Sequence, residues 1–150
     1  MAEAPRRYGI DASVVTKWHL RDETYVPESL AVLQDFRNRR IELVAPRLLA
    51  SEVGSAILKA VRRRRLNLAR ALASIEEFPA WRIRLVDQFL LSECLSMSHR
   101  IGCSFYDGMY LAVAEDLGVP LIHAGAKLHH AIAGRLSFEL WIEEYQSRIR

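Results

Sequence analysis

Three carboxylates, Asp11, Glu52 and Asp107, carry the chemistry this chain is best equipped to do. Asp11 follows the short apolar run Tyr8-Gly9-Ile10 where a helical pattern begins. In open α/β sheets the carboxyl ends of strands border the ligand crevice, so an acid there faces whatever the crevice holds. Glu52 lies inside an apolar helical pattern, between Leu48 and Ala56 on projection, with Leu49, Val53, Ile57 and Ala60 on the same side. Burying an unpaired carboxylate costs roughly several kcal/mol, so Glu52 calls for a cation, a proton or a set of donors. Asp107 opens the helical pattern Tyr106-Asp107-Gly108-Met109-Tyr110-Leu111-Ala112. Carboxylates without thiolates suit a hard cation, Mg²⁺ or Mn²⁺ rather than zinc. Such an ion brings a scissile phosphate and a water together, stabilises charge on the phosphoryl oxygens and acidifies the water.

Each acid also has a purely structural use. Asp11 can cap the helix that starts at Ala12. Glu52 can pair with an arginine, and Ser104 followed by Asp107 reads as a capping box. The three structural uses together in this order are a weaker explanation than a shared cation, which makes crowded carboxylates tolerable.

The elements that must position these acids follow from hydrophobic patterning. Apolar runs at Tyr8 to Ile10, Leu43 to Ala45, Ile83 to Val86 and Pro120 to Ile122 alternate with longer helical patterns, and Glu139 to Ile142 supplies a last strand. That alternation predicts a mainly parallel sheet with helices on both faces. Pro46 is placed to start the helix holding Glu52, and Gly118 and Pro120 separate the Asp107 helix from the next strand. Glu28 to Asn38 and Leu66 to Glu77 are amphipathic, the second forming a helical arm with the Glu52 helix. Trp18, Trp81 and Trp141 are scattered, which speaks for packing over a base-stacking platform.

The chain of 150 residues suits a single domain, residues 1–150, with a substantial core. Its net charge of +3 is modest, but Arg62-Arg63-Arg64-Arg65 is an unbroken basic run, and Arg37, Arg39 and Arg40 cluster at the end of an earlier helical pattern. These arginines suit a solvated helix end or a contact with anionic partners. Cys94 and Cys103 are too few and too far apart for a CxxC pair or a disulfide scaffold, which fits a reducing cytoplasm. No apolar stretch is long and uncharged enough for a signal sequence or a membrane span. There is no P-loop, GxGxxG turn, HExxH helix or nucleophile elbow. A phosphatase with Asp11 as nucleophile would need a second Asp two residues on, where Ser13 stands.

The blocks Asp11-Ala-Ser13-Val-Val, Ala45-Pro-Arg-Leu-Leu-Ala-Ser-Glu52-Val and Tyr106-Asp107-Gly-Met-Tyr-Leu-Ala resemble the PIN-domain nucleases, most closely the VapC-type toxins of bacterial toxin–antitoxin pairs. The resemblance covers nearly the whole chain. It implies a PIN-like three-layer α/β sandwich and a metal-dependent endoribonuclease that hydrolyses RNA phosphodiesters without a covalent intermediate. Asp11, Glu52 and Asp107 would be the metal ligands and catalytic acids. A VapB-like antitoxin would hold the toxin silent, and the chain would form a homodimer, with these contacts and RNA contacts around the helical arm and Arg62 to Arg65. Ser13 matches the family's Asp-Ala-Ser and would hydrogen-bond an acid or water. One departure stands out. The family's fourth acid falls in a Thr-Ala-Asp turn, and here that stretch reads Leu121-Ile122-His123-Ala124-Gly125-Ala126-Lys127-Leu128, with Gly125 at the acid's place. His123 would be an extra ligand favouring Mn²⁺ or a hydrogen-bonding stand-in for the threonine, while His129 and His130 read as surface residues. The alternative is a PIN-fold protein that binds antitoxin or RNA and cuts poorly.

Overall fold

The computed structural model describes residues 4–77, 82–87 and 90–145. Trp81 lies outside them. Five strands, β1 (Arg6–Ile10), β2 (Ile41–Pro46), β3 (Arg84–Val86), β4 (Leu121–His123) and β5 (Glu139–Trp141), form one sheet in the order β3-β2-β1-β4-β5. Every neighbouring pair is parallel. The helices are α1 (Ala12–His19), α2 (Val26–Arg37), α3 (Leu48–Arg62), α4 (Leu68–Glu76), α5 (Leu91–Ile101), α6 (Phe105–Leu117) and α7 (Ala126–Ile132). A short 3₁₀ turn, Ile142–Glu144, follows β5.

The strand order fixes the layers. From β1 to β3 the chain steps one way across the sheet, and from β3 through β4 to β5 it steps the other way. Right-handed crossovers therefore put α1 to α4 on one face and α5 to α7 on the other. The packing agrees, since α1 touches α2, α3 and α4, whereas α5 pairs with α6. Ile10, Val14, Val15, Leu49, Val53, Leu111, Ile122 and Leu140 are fully buried in the core between these layers.

Pro46 is not the first residue of a helix. It ends β2 opposite Val86, and Arg47, next in line, donates its N–H to the Val86 carbonyl at 3.1 Å. The proline's missing N–H thus falls at the last rung of a ladder, where its loss costs little. The arginine run closes α3: the Arg63, Arg64 and Arg65 N–H groups donate to the carbonyls of Lys59, Val61 and Ala60, and Arg64 takes φ +58°. A left-handed residue there is a common way to satisfy terminal carbonyls.

Gly108, beside Asp107, sets how closely α6 approaches α5. A Cβ there would overlap the Ser98 hydroxyl and lie 2.8 Å from the Cys94 carbonyl oxygen, and backbone cannot yield as a side chain can. Gly54 in α3 faces open space. Urea denaturation is expected to find Gly108→Ala destabilised by about 1–3 kcal/mol, and Gly54→Ala stabilised by ~0.5–1 kcal/mol. Equal stability of the two variants would contradict this packing.

Candidate metal centre

The direction of chain travel reverses between β1 and β4, and at such a switch point a crevice opens at the carboxyl ends of the strands. All three acids arrive there by construction. Asp11 directly follows β1. Helix α3 starts just after β2, which puts Glu52 one turn into it at the same end. Helix α6 leads into the amino end of β4, so its own first turn, with Asp107, lies at the carboxyl end.

Asp11 is 6% exposed and caps α1, with extended backbone and its side chain accepting from the Ser13 N–H at 3.0 Å. The Ser13 hydroxyl donates to the same oxygen, Oδ2, and accepts from the Ala124 N–H at 2.9 Å. Ser13 therefore ties Asp11 to the loop after β4 and leaves Oδ1 for a cation. Capping α1 through Oδ2 is compatible with a ligand role for Asp11. Burial raises its pKa above the usual carboxylate range, opposed by the Ser13 bonds and reinforced by the Asp107 charge.

Glu52 is half-buried, and its pKa is pushed up to about 7, first by desolvation and then by the charges of Asp11 and Asp107. Its Oε1 is buried with no hydrogen-bond partner of good geometry among the described residues. The buried Tyr110 hydroxyl, also without such a partner, lies near enough to Glu52 to oppose part of the rise. Tyr110 belongs to the same helix as Asp107, three residues on, so it lies on the same face. That spacing was its only mark in the sequence. The Ser104 hydroxyl accepts from the Asp107 N–H at 3.1 Å, which makes Asp107 part of the α6 start as well as of the acid group.

The three acids fit a hard cation. An orphaned buried carboxylate oxygen, mutual repulsion and raised pKa values are what a site built for positive charge looks like in its absence. Their ligand atoms do not all lie within 4.8 Å of one another. Mg²⁺ commonly keeps waters between itself and some of its carboxylates, so such a spread is compatible with a shared ion.

Gly125 occupies the N-cap of α7 with φ −84° and ψ 106°, a backbone any residue adopts, and no side chain caps the helix. A Cβ there would meet only ordinary contacts, Leu128 Cβ at 3.7 Å and His123 Nδ1 at 3.9 Å. The fold thus accommodates an acid at 125 without having one. His123 is fully buried and points to the β5 side: its Nε2 is 3.4 Å from Glu139 Oε2, and its ring meets Trp141 edge-on at 5.4 Å. Burial first, then the neighbouring His129, lowers its pKa to about 4, so it is neutral. His129 is not a simple surface residue, since it stacks on Trp141 at 4.3 Å and contacts Glu139 Oε1 at 2.7 Å, whereas His130 is exposed. Sequence spacing could not reveal this group, because only the sheet order brings β5 beside β4.

The basic residues divide by place. Arg65 is bound to Asp22 at 2.7 Å and to Glu23 at 2.8 Å, holding the α1–α2 connection, while Arg62, Arg63 and Arg64 are exposed. Arg62 is ten residues beyond Glu52, about 15 Å along the helix. Arg37 and Arg39 line an open groove with Pro5, Ile41 and Glu42, at the amino ends of β1 and β2 and so opposite the acids.

A family model described as PIN domain matches residues 8–133. The chain is also similar to the protein in the crystal structure of PAE2754 from Pyrobaculum aerophilum, with 21% identity, a TM-score of 0.70, and coverage of 99% of this chain and 97% of that one. At that identity the likeness speaks for the fold. No curated protein sequence matches the chain.

Because the folded pKa of Glu52 lies above its ordinary 4.5, the metal-free protein binds an extra proton between pH 4.5 and about 7. Its stability is therefore expected to fall as pH rises through that window, with the Glu52 contribution fully present below it. Melting temperatures of metal-free wild type and Glu52→Gln across pH 4–8 check this. The variant should lose Glu52's share of the decline while buried Asp11 keeps its own, and an identical slope in both would exclude Glu52 as a source.

Proposed function

The chain belongs to the PIN-domain family, whose members are generally metal-dependent nucleases, and from that premise we propose that it is an Mg²⁺- or Mn²⁺-dependent endoribonuclease acting as the toxin of a toxin–antitoxin pair. The observation that carries this reading is Glu52: a carboxylate held near pKa 7 by burial and by two other acids from distant parts of the chain. Asp11 through Oδ1, Glu52 and Asp107 would hold the ion. When bound, the ion supplies charge to the phosphoryl oxygens of RNA and acidifies a water for in-line attack. Ser13 keeps Asp11 in its ligand orientation by occupying Oδ2.

The exposed arm fits partners. Leu58, Leu68 and Leu72 are 46%, 59% and 52% exposed on α3 and α4, next to Arg62, Arg63 and Arg64. An apolar patch flanked by positive charge suits a VapB-like antitoxin segment or a second copy of the chain, and the arginines also suit RNA phosphates, with affinity falling as salt rises. Among the described residues no helix is long and apolar enough to cross a membrane, and a cytoplasmic setting suits the two free cysteines.

Incubation of purified protein with total cellular RNA is expected to give discrete products with Mg²⁺ or Mn²⁺ and none with EDTA. Asp11→Asn and Asp107→Asn should each lower the rate by more than ~100-fold, as loss of a direct ligand exceeds the effect of its supports. Growth arrest on expression of wild type but not of Asp11→Asn would support the toxin role. Metal-independent products, or full activity in both variants, would refute the assignment.

Gly125 favours a second reading, a PIN-fold protein that binds antitoxin or RNA while cutting weakly. The open, N-cap-shaped backbone at 125 makes Gly125→Asp a clean test, because the new carboxylate would fit without strain. A rise in cleavage of tenfold or more, on the order of one ligand's worth, would mark a weakened site. An unchanged rate would mean that three acids suffice.

A further inference from the structure

We propose that His123, His129 and Glu139 form a second metal site, for a divalent ion that favours imidazole nitrogen, with Zn²⁺ the best fit. Among the described residues they are the set of three His, Cys, Asp or Glu side chains whose ligand atoms all lie within 4.8 Å of one another. The three come from β4, α7 and β5, one strand farther from the centre of the sheet than Asp11, and none of them is one of the three acids at the switch point.

His123 provides the independent reason to expect a ligand. It is fully buried, and neither of its ring nitrogens has a hydrogen-bond partner among the described residues. A buried polar group left so is costly and uncommon. Its Nε2 lies 3.4 Å from the Glu139 carboxylate without hydrogen-bonding to it, and the same carboxylate is approached by His129 Nδ1.

The spacing suits tetrahedral zinc. With Zn–N and Zn–O bonds of about 2.0–2.1 Å, neighbouring ligand atoms stand about 3.3 Å apart. His123 Nε2 and Glu139 Oε2 are already 3.4 Å apart. His129 Nδ1 lies 2.7 Å from the other carboxylate oxygen, Oε1, so a carboxylate binding through one oxygen needs a small turn of the carboxylate or of His129 to admit the ion. The His129 side chain can make that adjustment because it is 43% exposed, whereas Glu139 is 10% exposed and fixed by its strand. Two imidazoles and one carboxylate leave a fourth position for water. Trp141 stacks on His129 and meets His123 edge-on, walling one side of the site.

An ion here would clamp α7 and β5 to the end of β4. The adjoining residue, Ala124, donates the N–H that orients Ser13, so the clamp would steady the loop that holds Asp11 in place. Its role is structural, with no step of RNA cleavage passing through it.

The test uses the full chain carrying Asp11→Asn and Asp107→Asn, so that binding by the acids is removed and nuclease activity is irrelevant to the result. Titration calorimetry with Zn²⁺ should show one equivalent bound, Co²⁺ should give visible absorption bands of a tetrahedral ion, and Zn²⁺ should raise the melting temperature. Adding His129→Ala or Glu139→Gln should weaken Zn²⁺ binding by more than about tenfold and abolish the Co²⁺ bands, whereas adding His130→Ala should leave both intact. A folded protein that binds no Zn²⁺, or binding unaffected by both His129→Ala and Glu139→Gln, would overturn the proposal.

Discussion

The repulsion among Asp11, Glu52 and Asp107 is the constraint around which this molecule is organised. Water would screen three separate carboxylates at little cost, yet here burial and neighbouring charge hold Glu52 near pKa 7 and raise Asp11 as well. A fold that concentrates negative charge in a half-dry crevice is destabilised there and must be supported by packing elsewhere. The support is the parallel sheet and its fully buried residues, Ile10, Ile122 and Leu49 among them.

Topology turns that packing into a site. The reversal of strand order between β1 and β4 gathers a strand end, a helix interior and a helix start at one edge of the sheet. Ser13 then links two of the converging segments, donating to Asp11 and accepting from Ala124. The same loop runs on to Gly125, where the backbone has the shape for a further acid and the side chain is missing. The imidazole group one strand away shares that loop through His123. Order at the end of β4 therefore bears on both places where the molecule gathers charged or ligating atoms.

Much of this was legible in the sequence, and the reasons are physical. Strand runs such as Tyr8 to Ile10 and Pro120 to Ile122 are apolar because parallel strands are covered on both faces, and they coincide with β1 and β4 within a residue or two. Glu52 was conspicuous because a carboxylate in an apolar helical stripe is costly to bury without a cation, a proton or a partner. Pro46 was misread because a proline serves equally well at a helix start and at the last rung of a strand, and only the partner strand β3 decides between them. His129 looked like a surface residue because nothing local distinguishes it. Its partners Glu139 and Trp141 lie ten and twelve residues on, in a strand whose position depends on the whole sheet. Arg65 was grouped with its three neighbours by adjacency, although its side chain turns back to Asp22 and Glu23.

The central claim, that these three carboxylates form one centre for a hard cation, is tested most directly by carboxyl-detected NMR of the Asp and Glu side chains during a Mg²⁺ titration near neutral pH. The account predicts that the Asp11, Glu52 and Asp107 signals move together at a single metal affinity, and that the Glu52 pKa falls well below about 7 once the ion is bound. Signals that stay fixed, or a Glu52 that keeps its raised pKa in saturating Mg²⁺, would contradict it.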